Sequence, residues 1–259
     1  MVLPGVVSTA GRRLPAFLPP FALLITLLLP VLSAAAQGRI EAGFGPAGTF
    51  PTGVLAAPVG ESGAGLLGEA DLPLAGGRLR LGVSLGWSQY AHYRRTILYE
   101  GGSGEPFDVE ELTGHDLVLG HLYLRRTFGR GLLRPHLEAL AGFLYPYTST
   151  ELSGLRADEY DPVGSTFHRG DTALSWGLGI GVGLYFRRDA SSDEAVEGRS
   201  AGGKGRLTAL ELRLRWIGGG RADWVRKGSV RIEEGEYHCD VRRTAADLIQ
   251  PSLLLRFRF

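Results

Sequence analysis

The chain has 259 residues, 28 of them basic and 27 acidic, with a formal net charge of +1 and a single cysteine, Cys239. That balance gives no footing for nucleic-acid binding, and one cysteine excludes an intrachain disulfide. The 39 glycines are roughly twice the usual share of ~7%, and they are not confined to turns.

At the N-terminus, Arg12 and Arg13 precede an uncharged stretch, Leu14 to Ala36, whose core is Phe21 to Leu29 and which ends in Ser33-Ala34-Ala35-Ala36. A basic region, a short apolar region and a small-residue site predict a secretory signal peptide over residues 1–36, cleaved after Ala36. Pro15, Pro19, Pro20 and Pro30 interrupt the stretch and argue against a membrane anchor. Cleavage would leave 26 basic and 27 acidic residues, a net charge of −1. No later segment approaches ~20 consecutive apolar residues, so residues 37–259 contain no transmembrane helix.

Eight segments with period-two alternation follow, and helical spacing fits none of them. The first, Arg39–Gly45, carries Ile40, Ala42 and Phe44 on one face; the second, Gly63–Leu74, carries Ala64, Leu66, Ala70, Leu72 and Leu74. The third alternates Leu79, Leu81, Val83, Leu85 and Trp87 with Arg80, Gly82, Ser84, Gly86 and Ser88. The fourth, Asp116–Phe128, sets Val118, Leu122 and Leu124 against His121, Tyr123 and Arg125, although Leu117 and Leu119 favour the other phase. The fifth, Arg134–Tyr145, sets Leu137, Ala139, Ala141, Phe143 and Tyr145 against His136, Glu138 and Gly142. The sixth sets Trp176, Leu178, Ile180, Val182, Leu184 and Phe186 against Gly177, Gly179, Gly181 and Gly183. The seventh sets Leu210, Leu212, Leu214 and Trp216 against Glu211, Arg213 and Arg215. In the last, Leu253, Leu255, Phe257 and Phe259 oppose Ser252, Arg256 and Arg258, with Leu254 the apolar exception.

Short links, Ala75–Gly77 and Gly129–Gly131, alternate with long polar ones such as Gln89–Gly114, Pro146–Gly170 and Gly218–Arg243; Arg187–Gly205 is long where a short turn is expected. Short turns at one end and long loops at the other describe a transmembrane barrel. The predicted fold is therefore all-β, an eight-stranded antiparallel up-and-down transmembrane β-barrel, with ten strands as the alternative if Ser229–Ile232 and Glu236–Cys239 add a hairpin. Eight strands enclose a space just wide enough for side chains. The bulky apolar face would overfill it and must point outward, with the glycine-rich face inward. Trp87, Trp176 and Trp216 then mark the outer lipid boundary, and Phe186, Phe257 and Phe259 the inner one. Pro251, which cannot donate to a ladder, is expected at the outer rim.

The inward set includes Arg39, Arg80, Arg125, Arg213, Arg215, Arg256 and Arg258 with Glu41, Glu69, Asp71, Glu138 and Glu211, and His121, His136, Tyr123 and Tyr185. Both signs are present, so a paired network plugging the lumen is expected. Ser165, Thr166, His168 and Asp171 lie close in sequence, and His92 and His115 flank another loop, but neighbours on a loop do not make a nucleophile and its base. Tyr237-His238-Cys239-Asp240 lacks the ligand spacing of a defined metal site. No catalytic, cofactor or metal residues are assigned.

With its signal peptide, strand pattern, loop asymmetry and final Phe259, the chain resembles the small bacterial outer-membrane barrel family of the OmpA barrel domain and OmpX. The resemblance implies outer-membrane lipid around the barrel, an assembly machinery that reads Phe259, a monomer, and a Gram-negative-type outer membrane as the location. It also implies a structural or surface-interaction protein working through extracellular loops, or alternatively a narrow transport barrel. Some small barrels modify lipid A, but their His-x-Ser pattern on the lipid-facing strand is absent, so no enzyme is expected. No cell-wall-binding domain is expected beyond Phe259.

Overall fold

The computed structural model describes residues 40–55, 62–74, 78–100, 106–129, 131–154, 162–186, 206–226, 228–233 and 236–259. The expected signal peptide, Arg39, the link at 75–77 and the long connection at 187–205 lie outside them. The strands are β1 (Glu41–Thr52), β2 (Gly63–Pro73), β3 (Leu79–Glu100), β4 (Pro106–Thr127), β5 (Leu133–Gly154), β6 (Pro162–Gly170), β7 (Ala173–Tyr185), β8 (Arg206–Gly219), β9 (Arg221–Val225), β10 (Arg231–Glu233), β11 (Glu236–His238), β12 (Val241–Ala245) and β13 (Asp247–Arg258).

β1, β2, β3, β4, β5, β7, β8 and β13 form the wall, each antiparallel to the next. β13 returns to β1, from Glu41↔Arg258 to Thr52↔Asp247, and closes the barrel. Closure leaves no edge in a solvent that cannot hydrogen-bond one. The fold is thus the predicted eight-stranded antiparallel barrel. The possible extra hairpin exists as β10–β11, but it stands outside the wall, as does the β9–β12 ribbon.

The faces follow the alternation. Leu81, Leu85, Leu122, Leu124, Leu137, Leu178, Ile180, Leu212, Leu214, Leu253 and Leu255 are exposed on the outside, while Arg80, Arg125, Glu138, Glu211, Arg213, Arg215 and Arg256 are buried inside. A water-soluble barrel would reverse the two sets. The fourth strand takes the phase set by Leu122 and Leu124; Leu117 and Leu119 turn inward and are 1% and 2% exposed. Trp87, Trp176 and Trp216 are exposed on the outer face, and the rings of the last two meet edge to face at 4.9 Å.

Two expectations need correction. Gln89–Gly114 and Pro146–Gly170 are not simply loops: β3 runs to Glu100 and β4 starts at Pro106, paired down to Glu100↔Pro106, while β5 continues to Gly154 and pairs with β6. The alternation of burial persists there, but the buried side is largely polar: Glu111, Thr113, Thr148 and Thr150 face inward, with the Thr113 and Thr150 hydroxyls 2.7 Å apart, so the apolar pattern ends where the ladder does not. A register shift between Gln89 and Ala91 marks the change, and Tyr90 at that step is 4% exposed.

Pro251 lies inside β13, not at its start, two pairs below Trp216 (Ile249↔Trp216, Pro251↔Leu214). The ladder to β8 is continuous there, whereas the ladder to β1 has no partners between Ala47↔Ser252 and Phe50↔Ile249. The missing N–H is thus absorbed in a local gap at the closing seam, where Pro46 lies in a second gap between Phe44↔Leu255 and Ala47↔Ser252.

Candidate functional site: the barrel interior and its extracellular mouth

The lower interior is a network of guanidinium and carboxylate groups drawn from every wall strand except β7. Glu69 of β2 accepts hydrogen bonds from Arg125 (3.0 Å), Arg213 (2.6 Å) and Arg256. Glu138 of β5 accepts from Arg215 Nε at 2.6 Å and Arg125 at 3.2 Å, and Glu211 accepts from Arg125 and Arg256, both at 3.1 Å. Asp71 binds Arg80 and Arg256 and accepts the Tyr123 hydroxyl at 2.8 Å. Glu41 joins Arg80 at 3.2 Å to Arg258 at 2.6 Å, where Arg258 emerges at the inner rim. Arginine suits this duty because its planar fork reaches two carboxylates at once. His136 approaches Glu211 at 3.7 Å, and Tyr123 stacks beneath Arg125 at 4.9 Å.

β7 supplies room instead of charge. A Cβ on Gly179 would lie 2.5 Å from Glu138 Oε1, and one on Gly181 would lie 2.5 Å from His136 Nε2. Gly179→Leu is therefore expected to destabilise by about 1–3 kcal/mol through overpacking although it adds apolar area. Urea titration of the protein in lipid vesicles checks this, and an unchanged midpoint would refute the assigned inward face.

Above the charges the interior becomes uncharged. His121 Nε2 meets Ser175 Oγ at 2.9 Å, Arg215 reaches up to Ser84 at 3.3 Å, and Thr49 donates to Ser88 at 3.0 Å. Leu117, Leu119, Leu140, Leu144, Ile217 and Leu248 then pack with Leu55, Ala222, Trp224 and Ala246 in one buried apolar cluster. Sequence reasoning missed this layer, although its signal was present. Leu117 and Leu119 were apolar exceptions on a polar face, and both are inward and buried in this layer; Leu254, the other exception, is buried in a separate small cluster with Ala47 and Leu67. Trp224, the tryptophan outside the girdle, sits on β9 and is 1% exposed, edge-on to Tyr90 at 5.7 Å. The β9–β12 ribbon thus folds its apolar side, Ala222 and Trp224, over the mouth. Arg169 ties it to β6 through Asp223 at 2.5 Å, and the Asp171 carboxylate accepts the Asp223 N–H at 3.0 Å.

Outside the membrane, Arg95 donates to Glu111 at 2.8 and 3.1 Å and to the Val230 carbonyl at 3.2 Å, joining the β3–β4 ribbon to the base of the β10–β11 hairpin. Between them is a polar recess of about 800 Å³ lined by Arg95, Arg226, Gly228, Ser229, Val230, His238, Cys239 and Asp240.

The residues weighed as chemical candidates are dispersed. Ser165 and Thr166 pair with Glu151 and Thr150 within the β5–β6 ladder. Asp171 is engaged with the Thr172 and Asp223 backbone, His92 is exposed, and His115 is buried with Nδ1 2.9 Å from Thr148 Oγ1. Among the described residues no three His, Cys, Asp or Glu side chains cluster as metal ligands. Burial pushes the Cys239 thiol above its ordinary value, which favours the protonated form over the reactive thiolate.

No family model matches the chain, and no curated protein sequence matches it. Among solved structures it is similar to the neisserial surface protein A (12% identity, TM-score 0.37, covering 85% of this chain and 96% of that one). It is also similar to the attachment invasion locus protein Ail of Yersinia pestis (10%, 0.35, 86% and 97%). A third likeness is to a major outer membrane protein of Thermus thermophilus (13%, 0.36, 85% and 99%). These likenesses are of fold; the chain's own closed wall, apolar exterior and tryptophans exposed on that face make it an eight-stranded antiparallel β-barrel of the membrane-spanning kind.

Proposed function

We propose that this outer-membrane barrel is closed to ions and works at the cell surface through its extracellular ribbons, without catalysing a reaction. One observation carries the reading. Arg80, Arg125, Arg213, Arg215 and Arg256 face Glu41, Glu69, Asp71, Glu138 and Glu211 across the interior, one carboxylate for each guanidinium. Charges matched in this way lock one another in place and leave none free to coordinate a passing ion. The apolar layer beneath Trp224 adds a second barrier of a different kind, since a dry apolar constriction stops ions by excluding their water.

The surface role rests on the ribbons. A rigid barrel holding projecting segments is a scaffold of the kind on which binding residues are carried, and the β3–β4 ribbon, β5–β6 and the β9–β12 ribbon project together above one rim. Residues 1–36, with their export pattern, are proposed to direct secretion to a Gram-negative-type outer membrane.

Reconstitution into a planar bilayer tests the closed interior, and silence at ordinary salt is the expected result. Stable, voltage-independent openings of porin size would refute it and make transport the leading function. Trimming the β3–β4 ribbon beyond His92 and Gly114 should leave heat-dependent gel mobility intact and abolish adherence of displaying cells to other cells. Undiminished adherence would refute the surface role.

A further inference from the structure

The lipid-facing wall carries a charge that makes no ion pair among the described residues. Arg126, the penultimate residue of β4, continues the outward phase of Leu122 and Leu124 and is exposed. Its guanidinium carbon lies 5.5 Å from the centre of the Phe128 ring, and among the described residues it makes no ion pair. An outward guanidinium facing hydrocarbon is unfavourable. What sets Arg126 apart is its outward-facing place in the wall beside the apolar exterior, whereas the arginines of the interior each face a carboxylate.

Beside Arg126 begins an apolar groove of about 650 Å³, lined chiefly by Leu137, Ile180, Val182, Leu212, Leu214 and Pro251, with Phe128 at its near end. Its axis is a single row of ladder pairs: Arg126↔Leu137, Leu137↔Ile180, Ile180↔Leu214 and Leu214↔Pro251. Four strand spacings of ~4.8 Å make the row roughly 19 Å long. Strands in such barrels are tilted, so the row runs obliquely. It starts at the inner rim, where Phe128 N–H bonds the Pro135 carbonyl across the β4–β5 turn, and ends two pairs below Trp216.

We infer that this groove is a specific site for an anionic phospholipid of the inner leaflet, with the headgroup phosphate on Arg126 and one acyl chain along the row from Leu137 towards Pro251. The guanidinium fork matches a phosphate in two parallel hydrogen bonds, and an arginine at this end reaches inner-leaflet headgroups by extending towards the interface. A headgroup without an ammonium of its own leaves the phosphate uncontested. The inference rests on the lipid-facing wall alone, so a barrel found to conduct ions would leave it standing.

The test is native mass spectrometry of the full-length barrel released from nanodiscs of equal phosphatidylglycerol and phosphatidylcholine, with folding verified by heat-dependent gel mobility. The barrel should retain one phosphatidylglycerol. Arg126→Gln should lower that retention about fivefold, the factor that about 1 kcal/mol of headgroup attraction gives. Ile180→Trp, which fills the groove and keeps Arg126, should lower it as well. Arg221→Gln, at an exposed position of β9 outside the wall, should not. Equal retention in Arg126→Gln, or an equal fall in Arg221→Gln, overturns the site. Full retention in Ile180→Trp overturns the groove as the chain's seat.

Discussion

Replacing Glu69 with leucine will lower the stability of the barrel by about 3–5 kcal/mol, the cost of leaving buried charge without its counter-ion. Leucine fits the volume and adds no polar atom, so the loss is electrostatic. Glu69 is 6% exposed and holds Arg125, Arg213 and Arg256 by hydrogen bonds from three different strands, with Arg215 at 3.6 Å. None of these guanidinium groups can shed its proton, and none can reach water without breaking other bonds. Urea titration in vesicles, followed by tryptophan fluorescence, reads the change. The second half of the test is a cycle with Arg213→Met. If the two groups stabilise the barrel as a pair, the double variant will be more stable than the summed single losses predict, by about 0.5–3 kcal/mol. Additive losses would mean that Glu69 acts by packing alone, and the paired interior would have to be abandoned. Asp240→Leu provides the contrast: its partners Arg226 and Arg242 keep 59% and 57% of their side chains exposed outside the wall, where water screens what remains.

The wall was legible in the sequence because a membrane strand separates hydrocarbon from a polar interior, and that contrast is written residue by residue. Leu212, Leu214 and Trp216 against Glu211, Arg213 and Arg215 needed only a period of two. The same reasoning paired each arginine with a carboxylate, since Glu138, Glu211, Glu69 and Asp71 were the acids available on that phase. It failed where the contrast ends. Tyr93 to Glu100 and Pro106 to Gly114 form ladder pairs whose buried side includes Glu111 and Thr113, so their polarity does not distinguish ribbon from loop. Leu117 and Leu119 were visible as anomalies, yet their meaning lay in Trp224, more than a hundred residues away, which folds over them from the β9–β12 ribbon. Contacts of that separation leave no periodic trace. Pro251 shows the same limit: its place followed from the register with β8 and from the gap towards β1, which no single strand encodes.

Ile180→Arg is the variant that decides whether the outer face is dissolved in hydrocarbon, and it should cost about 2–4 kcal/mol in lipid vesicles. Ile180 is 57% exposed in the isolated chain and stands opposite Leu137 and Leu214, midway along β7 between Trp176 and Phe186. An exposed position on a water-soluble protein would tolerate arginine within ±0.5 kcal/mol or so. Size is not the issue, because the side chain has open space on the outside. The penalty comes from the solvent, and it depends on depth. Leu133→Arg is the control: Leu133 is 61% exposed, but it starts β5 beside the inner turn. There arginine reaches the headgroups, and the expected cost falls to about 0–1 kcal/mol. The difference between the two variants carries the argument, since it cancels any general effect of adding a charge. Equal costs at both positions would show that exposure, not hydrocarbon, is being measured, and the outward assignment of Leu137, Leu178, Ile180, Leu212 and Leu214 would then have to be reversed.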